Sequence, residues 1–227
     1  SHGHRLYDIF AKDILKPGDL VFDFGCGDGS WLAGIKEKCD CKISGQDPDL
    51  FYKDYIKQTF KFDIHIGVIE KMYSELKNIY NKKIKLAIVS GSLQHMIDPM
   101  ECLRFIHEVL TDDGYLYICN KNVFTHKIFL NIPFSKHISI DHPHYFHKSS
   151  YYYMAEKSGF EILKYNDNSF VRSKHMEIFA KKTTPKVQIT PLVLPAKIIK
   201  QIKSSEYKIP IRKVIQAIRS IFQNLFK

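Results

Sequence analysis

Short apolar runs alternate along the chain with longer segments in which apolar residues recur every three or four positions. The runs have the length of buried strands, and the recurring positions are typical of helices with one buried face. The sequence predicts strands at 20–24, 42–47, 61–66, 85–90 and 115–120, separated by helices at 31–39, 49–58, 70–80 and 99–110. Because strands and helices alternate, we predict an α/β fold with a doubly wound, mostly parallel sheet.

The alternation changes in the last third of the chain. Residues 123–150 interrupt it with a short apolar patch and a histidine-rich run. Two further predicted strands, 161–165 and 175–181, form an antiparallel pair that completes a seven-stranded sheet. We therefore expect one domain over residues 5–182, followed by a basic, amphipathic helical extension over 183–227.

The composition supports one domain with an appendage. The chain has 227 residues, of which 44% are hydrophobic, enough for a sizeable core. It contains no apolar run of about 18 residues and no recognisable signal peptide, so we expect a cytoplasmic protein. The five cysteines are odd in number and form no C-x-x-C pair, which indicates reduced thiols rather than a zinc site.

The net charge of +10 is concentrated at the carboxyl end of the chain. Residues 183–227 carry nine lysines and arginines and a single acid, Glu206, so the preceding domain is close to neutral. A near-neutral body argues against a nucleic-acid groove, and we expect no nucleic-acid partner. The basic amphipathic pattern over 195–227 suits a peripheral membrane contact, a partner subunit or packing on its own domain.

The most specific local pattern follows the first predicted strand. Glycines recur at alternate positions from Gly25 to Gly29, two residues after Asp23 and just before a helical pattern. Glycine permits positive φ and lets a ligand lie against bare backbone. Asp47 ends the next strand about 20 residues later, the separation at which nucleotide-binding α/β units place a carboxylate on ribose hydroxyls.

This D-x-G-x-G-x-G segment resembles motif I of the class I S-adenosylmethionine-dependent methyltransferases, rather than the G-x-G-x-x-G loop of dinucleotide oxidoreductases. The resemblance covers residues 5–182 and favours the branch that modifies small molecules or glycan precursors. It implies S-adenosylmethionine as cofactor and S-adenosylhomocysteine as product. The implied cofactor contacts are Asp23, Gly25, Cys26, Gly27, Gly29, Asp47, Pro48, Ser90 and Leu93.

The resemblance leaves the adenine contact open. Many members of the family carry an acid directly after the glycine that ends the third strand, whereas this chain has Val68 there. The alternatives are the carboxylate of Glu70, a backbone carbonyl, or apolar contact with Ile69 and Met72.

The segment from Ser90 to Pro99 is similar to the one that follows the fourth strand in small-molecule methyltransferases. Ligands of open α/β sheets bind outside the carboxyl ends of the strands, so we expect Ser90 to His95 to lie under the reacting methyl group. The segment lacks the N-P-P-Y or D-P-P-Y run of amino-methylating enzymes that act on DNA or glutamine. That difference favours oxygen or carbon as the acceptor atom.

Residues 123–150 lie where such enzymes insert their acceptor-recognition element. Asp141 precedes three histidines there: His142, His144 and His147. A hydroxyl acceptor must lose its proton, and imidazole suits that role near neutral pH. We expect His144 to be the general base, with His95 and His142 as the other candidates. A metal site using Asp141 and purely structural histidines remain alternatives, and no metal is predicted.

The predicted function is methyl transfer from S-adenosylmethionine to a hydroxyl of a sugar or surface-glycan intermediate, in capsule or lipopolysaccharide biosynthesis. One alternative is C-methylation of a quinone or lipid headgroup at the inner face of the membrane, approached through residues 195–227. Another is a cofactor-binding scaffold without catalysis. The expected acceptor is thus a small molecule or glycan precursor.

Overall fold

The computed structural model describes residues 1–121, 142–166 and 175–185, together with Lys200 and Lys203. The strands are β1 (Leu20–Phe24), β2 (Lys42–Asp47), β3 (His65–Ile66), β4 (Ile84–Ser90), β5 (Leu110–Lys121), β6 (Phe160–Asn166) and β7 (His175–Lys182). They form one sheet in the order β3-β2-β1-β4-β5-β7-β6. Neighbours from β3 to β5 are parallel, and β7 pairs antiparallel with both β5 and β6. The predicted α/β fold and its antiparallel strand pair are confirmed.

Helices connect the strands on both faces of the sheet. They are α1 (His2–Leu6), α2 (Ser30–Lys38), α3 (Leu50–Phe60), α4 (Ile69–Tyr80), α5 (Pro99–Val109) and α6 (Lys148–Lys157). Side chains that accept hydrogen bonds from the first turn begin four of them: Ser1 at α1, Asp49 at α3, Asp98 at α5 and His147 at α6. Such caps satisfy backbone N–H groups that have no partner within the helix, and so fix where each helix starts.

The apolar core lies in two layers, one on each face of the sheet. Successive residues of β5 divide between them, as the two-residue period of a strand requires. Leu116 and Ile118 pack with α4, α5 and α6, whereas Tyr117 and Cys119 pack with α1, α2 and α3. All five cysteines are buried with free thiols.

Two predicted elements differ from the structure in extent. The predicted strand 61–66 pairs with β2 only at its last two residues, and Lys61 at its start has a left-handed φ of 62° and ends α3. The predicted turn before the fifth strand is instead an irregularity within β5. There the partner of Ile84 is Leu110, and the partner of the next paired residue on β4 is Tyr115.

Part of the predicted organisation falls outside the described residues. Of the predicted acceptor-recognition insertion, residues 123–141 lie outside them, and so does the tail beyond residue 185 except for Lys200 and Lys203. Within the described ranges, the structure contains no helix long and apolar enough to cross a membrane.

Candidate functional site

The loop between β1 and α2 is shaped by contacts with neighbouring strands. The backbone N–H of Gly25 donates to the carbonyl oxygen of Gln46 at 2.8 Å. Gly25 and Gly27 both have positive φ, at 78° and 50°. A Cβ on Gly25 would stand 2.5 Å from the Cβ of Ser92, whereas one on Gly27 would meet nothing within 4 Å. Packing therefore requires Gly25, while Gly27 borders open space where a ligand can approach the backbone.

Asp47 ties this loop to the end of β2. Its Oδ2 accepts a hydrogen bond from the backbone N–H of Gly27 at 2.8 Å, and its Oδ1 accepts one from that of Asp49 at 2.9 Å. A carboxylate has about four lone-pair positions, so both oxygens can accept further hydrogen bonds. The predicted ribose-binding acid is thus held in place with acceptor capacity to spare.

Asp23, near the end of β1, is almost completely buried. Within the described part of the chain, neither carboxylate oxygen has a hydrogen-bond partner. Burial raises the pKa of this carboxyl well above its usual range, and the charges of Asp47 and Asp28 raise it further. A buried carboxylate without a partner is energetically costly, so a cationic or hydrogen-bond-donating ligand close to it would be favoured, although Asp23 itself lines neither of the two cavities that open beside this loop.

Two adjoining cavities open at the carboxyl ends of the strands, and both are bordered by Gly25, Gly27 and Gly91. The first, about 230 Å³, is the Trp31 cavity, and further residues that line it are Cys26, Asp28, Trp31, Ser90, Cys119 and His175. The second, about 320 Å³, is the Asp47 cavity, and further residues that line it are Asp47, Tyr52, Val68, Ile69, Glu70 and His95. The surface of the Trp31 cavity is polar and apolar in about equal parts, whereas that of the Asp47 cavity is largely apolar.

The structure brings two of the predicted catalytic histidines together. His95 lies on a short 3₁₀ turn after β4 and lines the Asp47 cavity. The ring of His142 packs edge-to-face against it, with 4.6 Å between the ring centroids. Segments almost 50 residues apart in sequence thus converge beside the cavity.

The other two histidines of this run have different neighbours. The ring of His144 is stacked on Phe146, with 5.8 Å between the centroids. The Nδ1 of His147 accepts a hydrogen bond from the backbone N–H of Ser149 at 3.2 Å, which caps α6. No group of three or more metal-ligating side chains occurs among the residues that the structure describes. Asp141, the fourth ligand of the metal alternative, lies outside those residues.

The remaining predicted cofactor contacts have different surroundings. Ser90 and Cys26 line the Trp31 cavity, and Pro48 lines the Asp47 cavity. Burial raises the pKa of the Cys26 thiol, with a further rise from the charge of Asp23, which keeps it protonated. Leu93 is completely buried in the apolar core and lines neither of these two cavities.

Sequence reasoning included Gly91 in the segment from Ser90 to His95 without giving it a role of its own, and it missed two other lining residues. Gly91, with φ of 71°, borders both cavities, and a Cβ there would meet nothing within 4 Å. Its position directly after β4 matches that of Gly25 after β1, and this repetition is a signal that could have identified it. Tyr52 lines the Asp47 cavity, and His175 at the start of β7 lines the Trp31 cavity. Nothing in their local sequence marks either residue.

Curated relatives of the chain are named tRNA U34 carboxymethyltransferase. The one from Sulfurimonas denitrificans is 28% identical over 111 residues, which is 48% of this chain and 36% of the relative. The one from Campylobacter fetus is 29% identical over 115 residues, which is 47% of this chain and 38% of the relative. The chain thus spans little more than a third of the length of these relatives.

The names of these relatives contradict the predicted acceptor. A name that specifies a transferase acting on tRNA does not fit O-methylation of a sugar or glycan, and it does not fit C-methylation of a quinone or lipid headgroup. It also does not fit a scaffold without catalysis. The expectation of no nucleic-acid partner is wrong for the same reason. A net charge averages over the whole surface, so a near-neutral body does not exclude a local binding surface.

The family of the chain follows from its sequence and its fold together. Among solved structures, the TehB-like methyltransferase from Corynebacterium glutamicum has a TM-score of 0.56 at 20% identity, covering 80% of this chain and 88% of its own. An S-adenosylmethionine-dependent methyltransferase from Archaeoglobus fulgidus has a TM-score of 0.58 at 18% identity, covering 80% of this chain and 95% of its own. These likenesses show the fold. A family model described as a methyltransferase domain matches residues 4–165, so the chain belongs to the class I S-adenosylmethionine-dependent methyltransferases.

Proposed function

We propose that this protein transfers a methyl group from S-adenosylmethionine to a base of an RNA, with tRNA as the substrate class. The observation that supports tRNA as the acceptor is the similarity to relatives named for the modification of tRNA U34. The donor is supported by membership of the family and by the acidic, glycine-lined pair of cavities.

The residues around the glycine loop fit the cofactor. The buried carboxylate of Asp23 would be balanced by the positive charge of the ligand, and Gly27 and Gly91 leave room for it against the backbone. Asp47 would accept hydrogen bonds from the ribose hydroxyls. The cofactor supplies a methyl group already activated by its sulfonium, so the chain has chiefly to position the acceptor and exclude water.

The Asp47 cavity would hold the adenine mainly by apolar contact. Val68, Ile69 and Met96 line it, in agreement with the absence of an acid after Gly67. The carboxylate of Glu70 also lines the cavity, and its Oε1 accepts a hydrogen bond from the backbone N–H of Ile97 at 2.8 Å. That bond fixes the start of α4 against the segment after β4.

The charges around the cavities favour a methyl group over a carboxymethyl group. A carboxymethyl group carries a carboxylate that is ionised at neutral pH. The described residues that line the two cavities include Asp28, Asp47 and Glu70, but no lysine or arginine. Another negative charge near these acids would be repelled, whereas a cationic donor with a neutral transferred group is attracted.

His95 is the residue that we propose as general base. It lines the cavity, and imidazole can accept a proton near neutral pH. The ring of His142 packs against it and would restrict its orientation. His95 therefore takes precedence over His144, whose ring is stacked on Phe146.

The test is to incubate the protein with methyl-labelled S-adenosylmethionine and separate fractions of bacterial tRNA, other RNA, protein and glycan. We expect ribonuclease-sensitive label in the tRNA fraction. Label in protein or glycan, or in no fraction, would contradict the proposal. The second candidate is carboxymethyl transfer, which the name of the relatives favours. A parallel reaction tests it with a sulfonium donor that carries a carboxymethyl group in place of the methyl group. We expect no carboxymethylated nucleoside by mass spectrometry.

A further inference from the structure

Helix α3 carries a continuous row of aromatic rings that begins at the Asp47 cavity. Tyr52 lines the cavity. Its ring is 5.8 Å from that of Phe51, which in turn lies nearly parallel to the ring of Tyr55, at 6.3 Å and 16°. The row continues from Tyr55 to Phe60 at 6.3 Å. We call Tyr52, Phe51 and Tyr55 the aromatic strip.

The outer part of the aromatic strip does not contribute to the core. Phe51 is 68% exposed and Tyr55 is 40% exposed. Within α3, all of whose residues the structure describes, the buried residue is Ile56. Exposed apolar surface beside a ligand cavity commonly marks an interaction site, whereas packing gives no reason to place two rings here.

The other flank of α3 carries more lysines than acids, with the exposed Asp54 as the acid within the helix. Lys53 and Lys57 are exposed and stand one helical turn apart, and Lys61 follows at the same spacing just beyond the helix. Lys57 pairs with Asp63, but both side chains are more than 60% exposed, and a pair of this kind contributes little stability. These lysines can therefore turn toward another anion. Exposed rings along one side of the solvent-facing surface of α3 and lysines along the other combine stacking faces with positive charge, as in proteins that bind single-stranded nucleic acid, because every base has a face that can stack.

We propose that the aromatic strip stacks unpaired bases of the RNA acceptor next to the base that enters the site. This inference rests on the proposed function and extends it to a surface. The strip is narrow, and Leu50 is the exposed aliphatic side chain that α3 adds to it. A stable protein interface would instead need about 800 Å² of surface on each partner.

The test measures the affinity of the full chain for unfractionated bacterial tRNA, with Phe51→Ala, Tyr55→Ala and the double variant. Removing a stacked ring should weaken binding by about 5- to 150-fold for each base released. Affinity for S-adenosylhomocysteine should stay unchanged in both single variants. Leu163→Ala, at an exposed apolar position on β6, is the matched control and should bind tRNA like the wild type.

A second variant gives a direct signal from the proposed contact. Phe51→Trp keeps an aromatic ring, so tRNA affinity should be retained. Stacking of a base on that tryptophan should quench its fluorescence. The wild-type chain has Trp31 as its one tryptophan, in the Trp31 cavity, so any change in its fluorescence on adding tRNA is measured separately and subtracted. Retained affinity without quenching would contradict stacking at this position.

The outcomes separate this inference from the proposed function. If the wild type binds and methylates tRNA and both alanine variants match it, the inference is wrong and the proposed function stands. If the wild type neither binds nor methylates RNA, both fail. The same variants are tested on vesicles of phosphatidylglycerol and phosphatidylcholine, and by sedimentation for self-association. A defect confined to either of those measurements would overturn the inference in favour of a membrane or protein contact.

Discussion

At Gly27 the open space beside the backbone bears on ligand affinity, whereas the left-handed conformation of the backbone bears on stability. Gly27→Ala places a methyl group where the ligand would touch the backbone, so we expect affinity for S-adenosylhomocysteine to fall by at least about tenfold. The left-handed φ of 50° should also cost about 1–2 kcal/mol of stability. Calorimetric titration and chemical denaturation measure the two effects separately.

Gly18 offers a control for this substitution. It too has a left-handed φ, of 88°, and a Cβ there would meet nothing within 4 Å, but it lines neither cavity. Gly18→Ala should therefore lose similar stability and keep full affinity. Equal losses of affinity in the two variants would show that strain, rather than contact with the ligand, explains the effect at Gly27.

Asp23→Asn tests the buried carboxylate. The pKa of Asp23 is raised in the folded chain, so the folded state holds the proton more tightly than the unfolded state. Stability without added ligand should therefore fall as pH rises from the ordinary pKa of 3.8 to the folded pKa. We expect the variant to lack this decline. At a pH above the pKa that Asp23 has in the folded state, its free energy of unfolding should be about 1–3 kcal/mol higher than that of the wild type. It should also bind the cofactor less tightly. Denaturation curves across the pH range, with titrations of S-adenosylmethionine, measure both quantities.

His95→Ala tests the proposed base. Turnover on tRNA should fall by about 10²- to 10⁴-fold, because the proton of the acceptor would have no positioned base. Affinity for S-adenosylhomocysteine should change little. His144→Ala, which removes a ring stacked on Phe146, is the comparison and should retain most of the turnover. The reverse ranking of the two variants would restore His144 as the base.

The contrast between these residues shows what sequence can predict at this scale. Asp23, Gly25 and Asp47 could be proposed as cofactor contacts because a tight loop between strand and helix constrains residue type and spacing. His95 and His144 lie in segments where apolar residues recur at no regular spacing. The neighbour of His95, His142, comes from a distant part of the chain. Sequence could nominate both histidines, but the choice between them required the contacts with His142 and Phe146.

Among the elements, α3 is attached to the sheet by few buried groups. Ile56, its buried residue, packs beside Gly29 of the glycine loop. Ile56→Ala should cost about 2–5 kcal/mol and should also weaken tRNA binding, since the aromatic strip would lose its support. Ile79→Ala, at an exposed position on α4, is the control for both measurements. An effect on stability without one on tRNA binding would separate the helix from the proposed RNA surface.

The extents of elements were less predictable than their order. Alternating apolar residues predicted a strand over 61–66, but Lys61 has a left-handed φ of 62° and ends α3. Alternation also cannot tell how many residues find a partner strand. The pairing at His65 and Ile66 depends on where β2 ends. In the same way, the polar residues at 111–114 suggested a turn, although the sheet accommodates them as an irregularity within β5.

For the whole molecule, the sequence predicted the architecture well and the acceptor badly. The alternation of strands and helices and the antiparallel last pair follow from periodicity, which is distributed along the entire chain, whereas the order of the strands within the sheet is known from the structure. Acceptor choice depends on a few surface groups, and a summed charge contains no information about their arrangement. The aromatic strip illustrates this limit, because Phe51 and Tyr55 look like ordinary helix residues until their exposure is known.

The Asp47 cavity collects residues from segments far apart in sequence, from Gly25 to Met96, and the Trp31 cavity extends this to His175. A ligand that contacts several of these segments at once would join the ends of most strands. In a cell, the supply of the methyl donor would then help to determine how often the sheet opens to a protease. The lifetime of the protein, and not only its catalytic rate, would then depend on the concentration of the methyl donor.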